Sequence, residues 1–413
     1  MGLTQVSTGG VKDDAITKAK IPANQIEASE LADNAVDTNA IANNAITQAK
    51  INVPISNRNL IINGSMQVAQ RATTYTGADN YNTVDRIKTI HSGLNEDVTS
   101  SQHELSSSDT PYSLGFRHSY HIQNGNQSAG AGAEDFLSMQ YRIEAQDLAR
   151  SGWDYKSTSS YVTLSFWVKS SVAQSFGCFL RTHDGSQMTF PFETGALTAD
   201  AWTKITKTIS GNGAISFSTD NGTGIEINIS QFWGTNYTSS GKTLDAWASY
   251  SNDSRLKDFP ASTWYTTNDA TFEITGLQLE VGSVATTFEH RSFSQELALC
   301  QRYFQQVGAV GQDGTYGLAP GYLYNSGNNV AFGYIMPVMM RATPTITNGS
   351  TYLQIVNGSA STDINSYNFV ETIFPSTFIS ISGVLHSDSG NDNQLCVVTN
   401  GPTNGLATLS AEL

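Results

Sequence analysis

The sequence predicts an all-β protein of more than one domain, on three observations. Its 413 residues exceed what a single hydrophobic core usually organises. Apolar residues make up 39% and charged residues 14%, with Ser, Thr, Asn and Gly filling the balance, a mixture suited to turns and pleated surfaces. From Asn59 onward, short stretches of alternating apolar residues recur about every ten residues between Gly, Asn and Ser turns, as in β-sandwiches. Three parts follow: an extended N-terminal β-spiral over residues 1–57, a central β-sandwich over 58–291, and, beyond a connecting helix at 292–304, a small C-terminal β-sandwich over 305–413.

The first part rests on a repeat of five. Val6, Val11, Ile16, Ile21, Ile26, Leu31, Val36, Ile41, Ile46 and Ile51 follow one another without a break. Five residues turn an α-helix by about 140°, which smears these positions around the helix instead of aligning them. A coiled coil needs spacings averaging 3.5. In a flat strand an odd spacing sends successive apolar residues to opposite faces. The backbone must therefore bend once per repeat, and Asp13, Asp14, Pro22, Asn24, Asp33, Asn34, Asn39, Asn43 and Asn44 stand where bends are required. No Phe, Trp or Tyr precedes Tyr75, so the segment has no core beyond these apolar side chains, too few to offset the entropy of ordering it. The expectation is a homotrimeric stalk in which three copies pack Val11 to Ile51 onto a common axis; the alternative is a flexible linker.

In the central part, Val162, Leu164, Phe166 and Val168 alternate with Thr163, Ser165, Trp167 and Lys169, so one face is core and the other polar. Ile225, Ile227 and Ile229 alternate likewise. Phe272, Ile274, Leu277 and Leu279 form a later strand in which Gly276 marks a bulge. A helix is expected over Glu296 to Phe304, with Leu297, Cys300 and Phe304 on one face and Ser292 with Gln295 as a capping box. Cys300 in that apolar setting reads as an inert thiol.

The stretches NLIINGSM (Asn59 to Met66), VDR (Val84 to Arg86), SFWVKSS (Ser165 to Ser171), AWTK (Ala201 to Lys204) and above all ITGLQLEVGSVATTFEHRSFSQELALCQRYF (Ile274 to Phe304) resemble the jelly-roll domain of tailed-bacteriophage tail fibres. That domain is similar to carbohydrate-binding modules. IMPVMMRATPTIT (Ile335 to Thr347) and the final LSAEL (Leu409 to Leu413) resemble the β-sandwich that ends such fibres. The sequence departs from the pattern at Ile87, where the family often has Trp, and at Thr287, where it often has Pro. The resemblance implies a virion protein, assembled in the host cytoplasm, docking to tail or baseplate proteins through its N-terminal segment and binding host surface polysaccharide or lipopolysaccharide. Its C-terminal domain would lie at the distal tip.

Other classes of function find little support. A net charge of −14 repels nucleic-acid phosphates and anionic lipid. No run of about 18 apolar residues offers a membrane span, and no secretory leader is read at the N-terminus. The three cysteines, Cys178, Cys300 and Cys396, have neither disulfide nor zinc-site spacing, which fits a reducing compartment. No nucleophile elbow, P-loop or zinc-protease motif occurs, so no enzyme and no cofactor is expected. A glycan depolymerase would need two carboxylates across a cleft. His118 with His121, and Asp220, Asn221, Gly222 with Glu226, have spacings compatible with metal ligands, but read more simply as surface histidines and a hairpin turn.

Glycan binding calls for aromatic faces beside hydrogen-bonding groups. The candidates are Trp153 with Tyr155, Trp233 with Tyr237, Trp247, and Trp264 with Tyr265, all in Ser, Asn and Gly-rich segments. Each has the alternative of a packing role in a core or interface. Trp167 and Trp202 read as framework. Adhesion by a fibre is the expected function; a purely structural fibre or baseplate protein is the alternative.

Overall fold

A computed structural model describes residues 57–77, 80–259, 263–307, 317–324, 328–347, 353–357, 360–371, 378–385, 395–400 and 407–413. The pentad positions, and with them the stalk and its trimer, lie outside the described residues. The rest is almost entirely antiparallel β-structure.

Two six-stranded sheets form the central sandwich. The first runs β1 (Thr74–Thr76), β3 (Thr99–Glu104), β4 (His118–Gln123), β12 (Thr271–Val281), β6 (Tyr161–Ser170) and β9 (Thr203–Ser210). The second runs β11 (Ala248–Ser249), β8 (Met188–Ala196), β7 (Ser175–Thr182), β10 (Thr223–Trp233), β5 (Phe136–Glu144) and β2 (Ile87–Ser92). From β4 to β12 the chain crosses repeatedly between the sheets, as in a jelly roll. The alternation read in the sequence decides which side chains meet between them. Val162, Leu164, Phe166 and Val168, the three isoleucines of β10, and Phe272, Ile274, Leu277 and Leu279 all enter one hydrophobic core.

Ile274 and Leu277 are three apart, an odd spacing that a regular strand would split between its faces. They share the inner face because the β12–β6 register shifts between Thr275 and Gln278, at the expected bulge. Gly276 there has φ +65°, and a Cβ on it would come within 2.8 Å of the Phe116 ring.

Asn59 to Met66 lies along β12. The Asn59 side chain donates to the Leu277 carbonyl at 3.1 Å and accepts from the Leu279 amide at 3.1 Å. Gly64 sits so close that a Cβ would be 2.0 Å from the Leu277 carbonyl oxygen. Asn63, at φ 61°, ties Val68 and Asp85 together through its side-chain amide.

A short helix α1 (Ala145–Ala149) follows β5 directly. Helix α2 spans Phe293–Gln301 with the Ser292/Gln295 capping box formed, so it starts and ends earlier than Glu296 to Phe304; Phe304 instead opens the next strand. Cys300 is buried, and that burial, with the Asp85 and Glu296 carboxylates nearby, pushes its thiol well up.

Beyond α2, β13 (Phe304–Val307), β21 (Ala407–Ser410) and β16 (Thr345–Thr347) make a three-stranded sheet in that order. Strands β14 (Gly317–Tyr324), β15 (Asn329–Ile335), β19 (Phe378–Leu385), β18 (Ala360–Glu371), β17 (Leu353–Asn357) and β20 (Leu395–Asn400) close into a barrel. The C-terminal domain is therefore a small barrel with an accessory sheet, where the sequence suggested a two-layer sandwich. The reason is that β14 pairs with β15 on one side and β20 on the other, leaving no free edge.

Candidate functional site

The outer face of the second sheet is unusual in being polar and yet mostly covered. On β5, Leu137, Met139, Tyr141 and Ile143 point into the core, which turns Phe136, Ser138, Gln140 and Arg142 outward. On β10 the isoleucines turn Glu226, Asn228 and Ser230 outward, and on β7 Cys178 and Leu180 turn Phe179 and Arg181 the same way. Strand register then aligns these residues in rows. Arg142, Glu226, Arg181 and Thr189 follow one another across four strands, and Gln140, Asn228, Phe179 and Pro191 form the next row.

The segment 234–258 folds back over this face. Leu256, at 1% exposure, packs with Phe179 and Trp233. β11 pairs with β8, and the Arg255 amide donates to the Tyr237 carbonyl at 2.8 Å. This return delivers two further side chains, Tyr250 and Arg255. The Arg181 guanidinium lies 3.8 Å from the Tyr250 ring centroid; that of Arg255 is 5.9 Å from the same ring and 4.5 Å from that of Trp233. Asn252 accepts from the Tyr250 hydroxyl at 2.8 Å and from Arg255 at 3.0 Å, while Gln187 accepts from Arg181 at 2.7 Å.

Glu226 is the carboxylate of this group. Arg142 approaches it to 3.1 Å and His183 to 3.2 Å, and the Asn228 amide donates to it at 2.9 Å. Burial would raise its carboxyl, but the His183 hydrogen bond, the Arg142 charge and the Asn228 amide prevail and hold it at about 2. Arg255 is not balanced in this way. Its burial holds the guanidinium below its ordinary value, and Arg181 adds to that, against the upward pull of Tyr250 and Glu226.

Three buried polar atoms of this region have no hydrogen-bond partner: Gln140 Oε1, Thr189 Oγ1 and Arg255 Nε. Gln140 is 5% exposed and Thr189 fully buried. Unpaired buried polar groups are costly and therefore rare in folded proteins. Gln140 and Thr189 lie on the outer face of the sheet, and Arg255 belongs to the segment that returns over it.

Of the aromatic residues singled out in the sequence, the patch gathers Trp233 and Tyr237. Trp233 is stacked on Phe136 at 4.4 Å and buried, and Tyr237 meets it edge-on at 5.3 Å. Trp153, buried, packs with Tyr155 and Phe217. Trp264 and Tyr265 are fully buried, one edge-on to Phe272 and the other stacked on Phe232. Trp247 is half-buried against Phe190, and its indole donates to the Ser210 carbonyl at 2.8 Å. Sequence reading missed Arg142, Arg181, Tyr250 and Arg255. A signal for the first two was present, since an arginine within a strand whose alternate residues are apolar marks the outward face.

The other sequence candidates scatter. His118 and His121 lie on strand β4, where a spacing of three puts them on opposite faces. Asp220 caps its own turn through the Gly222 amide, whereas the Glu226 side chain serves Arg142 and His183. No group of three metal-ligating side chains occurs among the described residues. A polar cleft of about 580 Å³ at one end of the first sheet is lined by Glu96, Asp97 and Asp269 among others. Two of its carboxylates are engaged by neighbouring residues: Glu96 accepts from the Asn126 amide at 2.7 Å and Asp269 from the Gln123 side chain at 2.9 Å. No helix among the described residues is long and apolar enough to cross a membrane.

No protein-family model matches this chain, and no curated protein matches it. Among solved structures, it is similar to the enzymatically active domain of tailspike protein 4 of bacteriophage CBA120, at 12% identity over 54% of this chain and 21% of that one, with a TM-score of 0.28. A family 11 carbohydrate-binding module from Clostridium thermocellum is similar at 11% identity over 52% of this chain and 98% of the module, TM-score 0.23. The N-terminal cellulose-binding domain of a Cellulomonas fimi β-1,4-glucanase is similar at 10% identity over 53% of this chain and 99% of that domain, TM-score 0.24. The chain thus matches about a fifth of the tailspike domain, and none of these likenesses extends to ligand or activity.

Proposed function

We propose that this chain is a non-catalytic adhesin of the phage tail-fibre type, a homotrimer whose jelly roll binds glycan on the outer face of its second sheet. The observation that carries the reading is the Tyr250 patch: a partly exposed ring with the planar guanidinium groups of Arg181 and Arg255 at 3.8 Å and 5.9 Å from its centroid. Flat aromatic and guanidinium surfaces accept a sugar ring, and guanidinium N–H groups can donate hydrogen bonds to its hydroxyls. The fibre assignment is supported by the sequence resemblance in Asn59 to Met66 and Ile274 to Phe304. Three weak sites on one trimer would raise avidity through effective concentration while each contact stays reversible.

The test is binding of the purified full chain to a glycan array and to host cells, repeated with Tyr250→Ala. Binding at least tenfold weaker in the variant, with unchanged thermal unfolding, is expected; equal binding removes the patch from the site. A structural fibre protein without ligand is the second reading, favoured by the burial of Trp153, Trp233, Trp264 and Tyr265. It predicts no binding by the wild type at all. Polysaccharide left unchanged in length after prolonged incubation is the outcome expected of a non-catalytic protein.

A further inference from the structure

Resting on the reading of the Tyr250 patch as a glycan site, we infer that its ligand is an acidic glycan, whose carboxylate is received by Arg181 and Arg255 with Arg142 at the far side of the row. The chain as a whole carries a net charge of −14, so a local concentration of cations on it needs a cause. Arg142 and Arg181 flank Glu226 from opposite neighbouring strands, and Arg255 is brought to the same place by the returning segment. Glu226 is the carboxylate that balances this group, and it is already engaged by Arg142, His183 and Asn228. Arg181 and Arg255 have neutral hydrogen-bond partners instead, the side-chain oxygens of Gln187 and Asn252.

Two guanidinium groups within 6 Å of one tyrosine ring, each held by a neutral amide, repel one another, and the carboxylate beside them, Glu226, is shared with Arg142 and His183. Planar, forked donors fixed in this way match a carboxylate. The unpaired Nε of Arg255 lies inside the same arrangement, and Thr189 stands directly opposite Arg181 in the register, with an unpaired hydroxyl. A neutral sugar would use the ring and leave the two arginines without an anion of their own. A uronic or sialic acid residue would answer it, with its ring against Tyr250 and its carboxylate between the two arginines.

The experiment compares full-length protein on polygalacturonate, alginate, hyaluronate and α2,8-polysialic acid with matched neutral galactan and dextran, by calorimetry at low and at half-molar salt. Because the protein is strongly anionic, diffuse attraction to a polyanion is disfavoured, and any binding must be local. Expected is binding to at least one acidic polymer, weakened about tenfold by Arg181→Gln and by Arg255→Gln, and lost when that polymer's carboxylates are methyl-esterified or amidated. Lys204→Gln, on the other sheet, serves as control and should change nothing. Binding of a neutral glycan that needs Tyr250 but neither arginine would overturn the acidic ligand while keeping the site. No binding to any of these polymers would overturn both. Because loss of fold could mimic loss of binding, each variant's thermal midpoint is compared with wild type, and restoration by Arg181→Lys with altered salt dependence separates charge from packing.

Discussion

At the scale of single residues, Glu226 shows how a buried carboxylate is held ionised by its neighbours. Its carboxyl is held at about 2, below its ordinary 4.5, so the folded state favours the ionised form. The stability this contributes is present above roughly pH 4.5 and is lost as the pH falls through about 2. Glu226→Gln should therefore be destabilised by on the order of 3 kcal/mol at neutral pH, with the gap to wild type narrowing between pH 4.5 and 2. Denaturant unfolding at a series of pH values checks this; a gap that does not vary with pH would mean that Arg142 and His183 gain little from the charge. Asp85 behaves oppositely, burial outweighing the charge of Arg71 and raising its carboxyl, which is why the difference between variant and wild type, and not the raw acid profile, is diagnostic.

At the scale of elements, β12 is the strand on which the sandwich depends. It pairs with both β4 and β6, receives Asn59 to Met66 along its surface, and carries the bulge that keeps Ile274 and Leu277 on one face. Gly276→Ala should cost about 1–2 kcal/mol for the left-handed backbone alone, and more because the new methyl meets the Phe116 ring. A thermal midpoint lowered by several degrees, measured by circular dichroism, is the expected outcome. An unchanged midpoint would show that the bulge can relax. Helix α2 has a similar linking role: its buried Glu296 accepts from the Asn63 amide and from Arg291, which joins the helix to the loop lying on β12.

At the scale of the whole molecule, the C-terminal domain is tied to the jelly roll through charge. Arg86 is 1% exposed, stacks on Tyr303 at 3.5 Å and forms an ion pair with Glu412. Arg71 also reaches Glu412, at 3.1 Å, while Arg341 donates to the Ala411 carbonyl at 2.8 Å and to that of Asn221 at 2.6 Å. Tyr81 donates to the Leu413 carbonyl at 3.0 Å. The LSAEL segment noted in the sequence is thus inserted against residues some three hundred positions earlier. Glu412→Ala leaves a buried guanidinium without its counter-charge and should cost about 3–5 kcal/mol. Replacing the pair together, as Arg86→Met with Glu412→Leu, should recover much of that loss in thermal unfolding. If the double variant is no better than the single one, the stacking of Arg86 on Tyr303 matters more than the charge pair.

What the sequence determined by itself was everything carried by period. Alternation of apolar residues is a local property, so the inner faces of β6, β10 and β12, the bulge at Gly276 and the Ser292 capping box could all be read before any contact was known. Closure of the C-terminal barrel could not, because it depends on which strand β14 meets on its second side. The candidate site belongs to the same class. Arg181 and Arg255 come from separate segments, and only the return of residues 234–258 brings them to one tyrosine ring, as only strand register sets Arg142 and Arg181 on either side of Glu226. Tertiary structure also decided where the tryptophans went: Trp153, Trp233 and Trp264 lie in Ser, Asn and Gly-rich surroundings typical of loops, but large aromatic rings are drawn into whatever apolar space the fold offers, and that space is defined by residues distant in the chain.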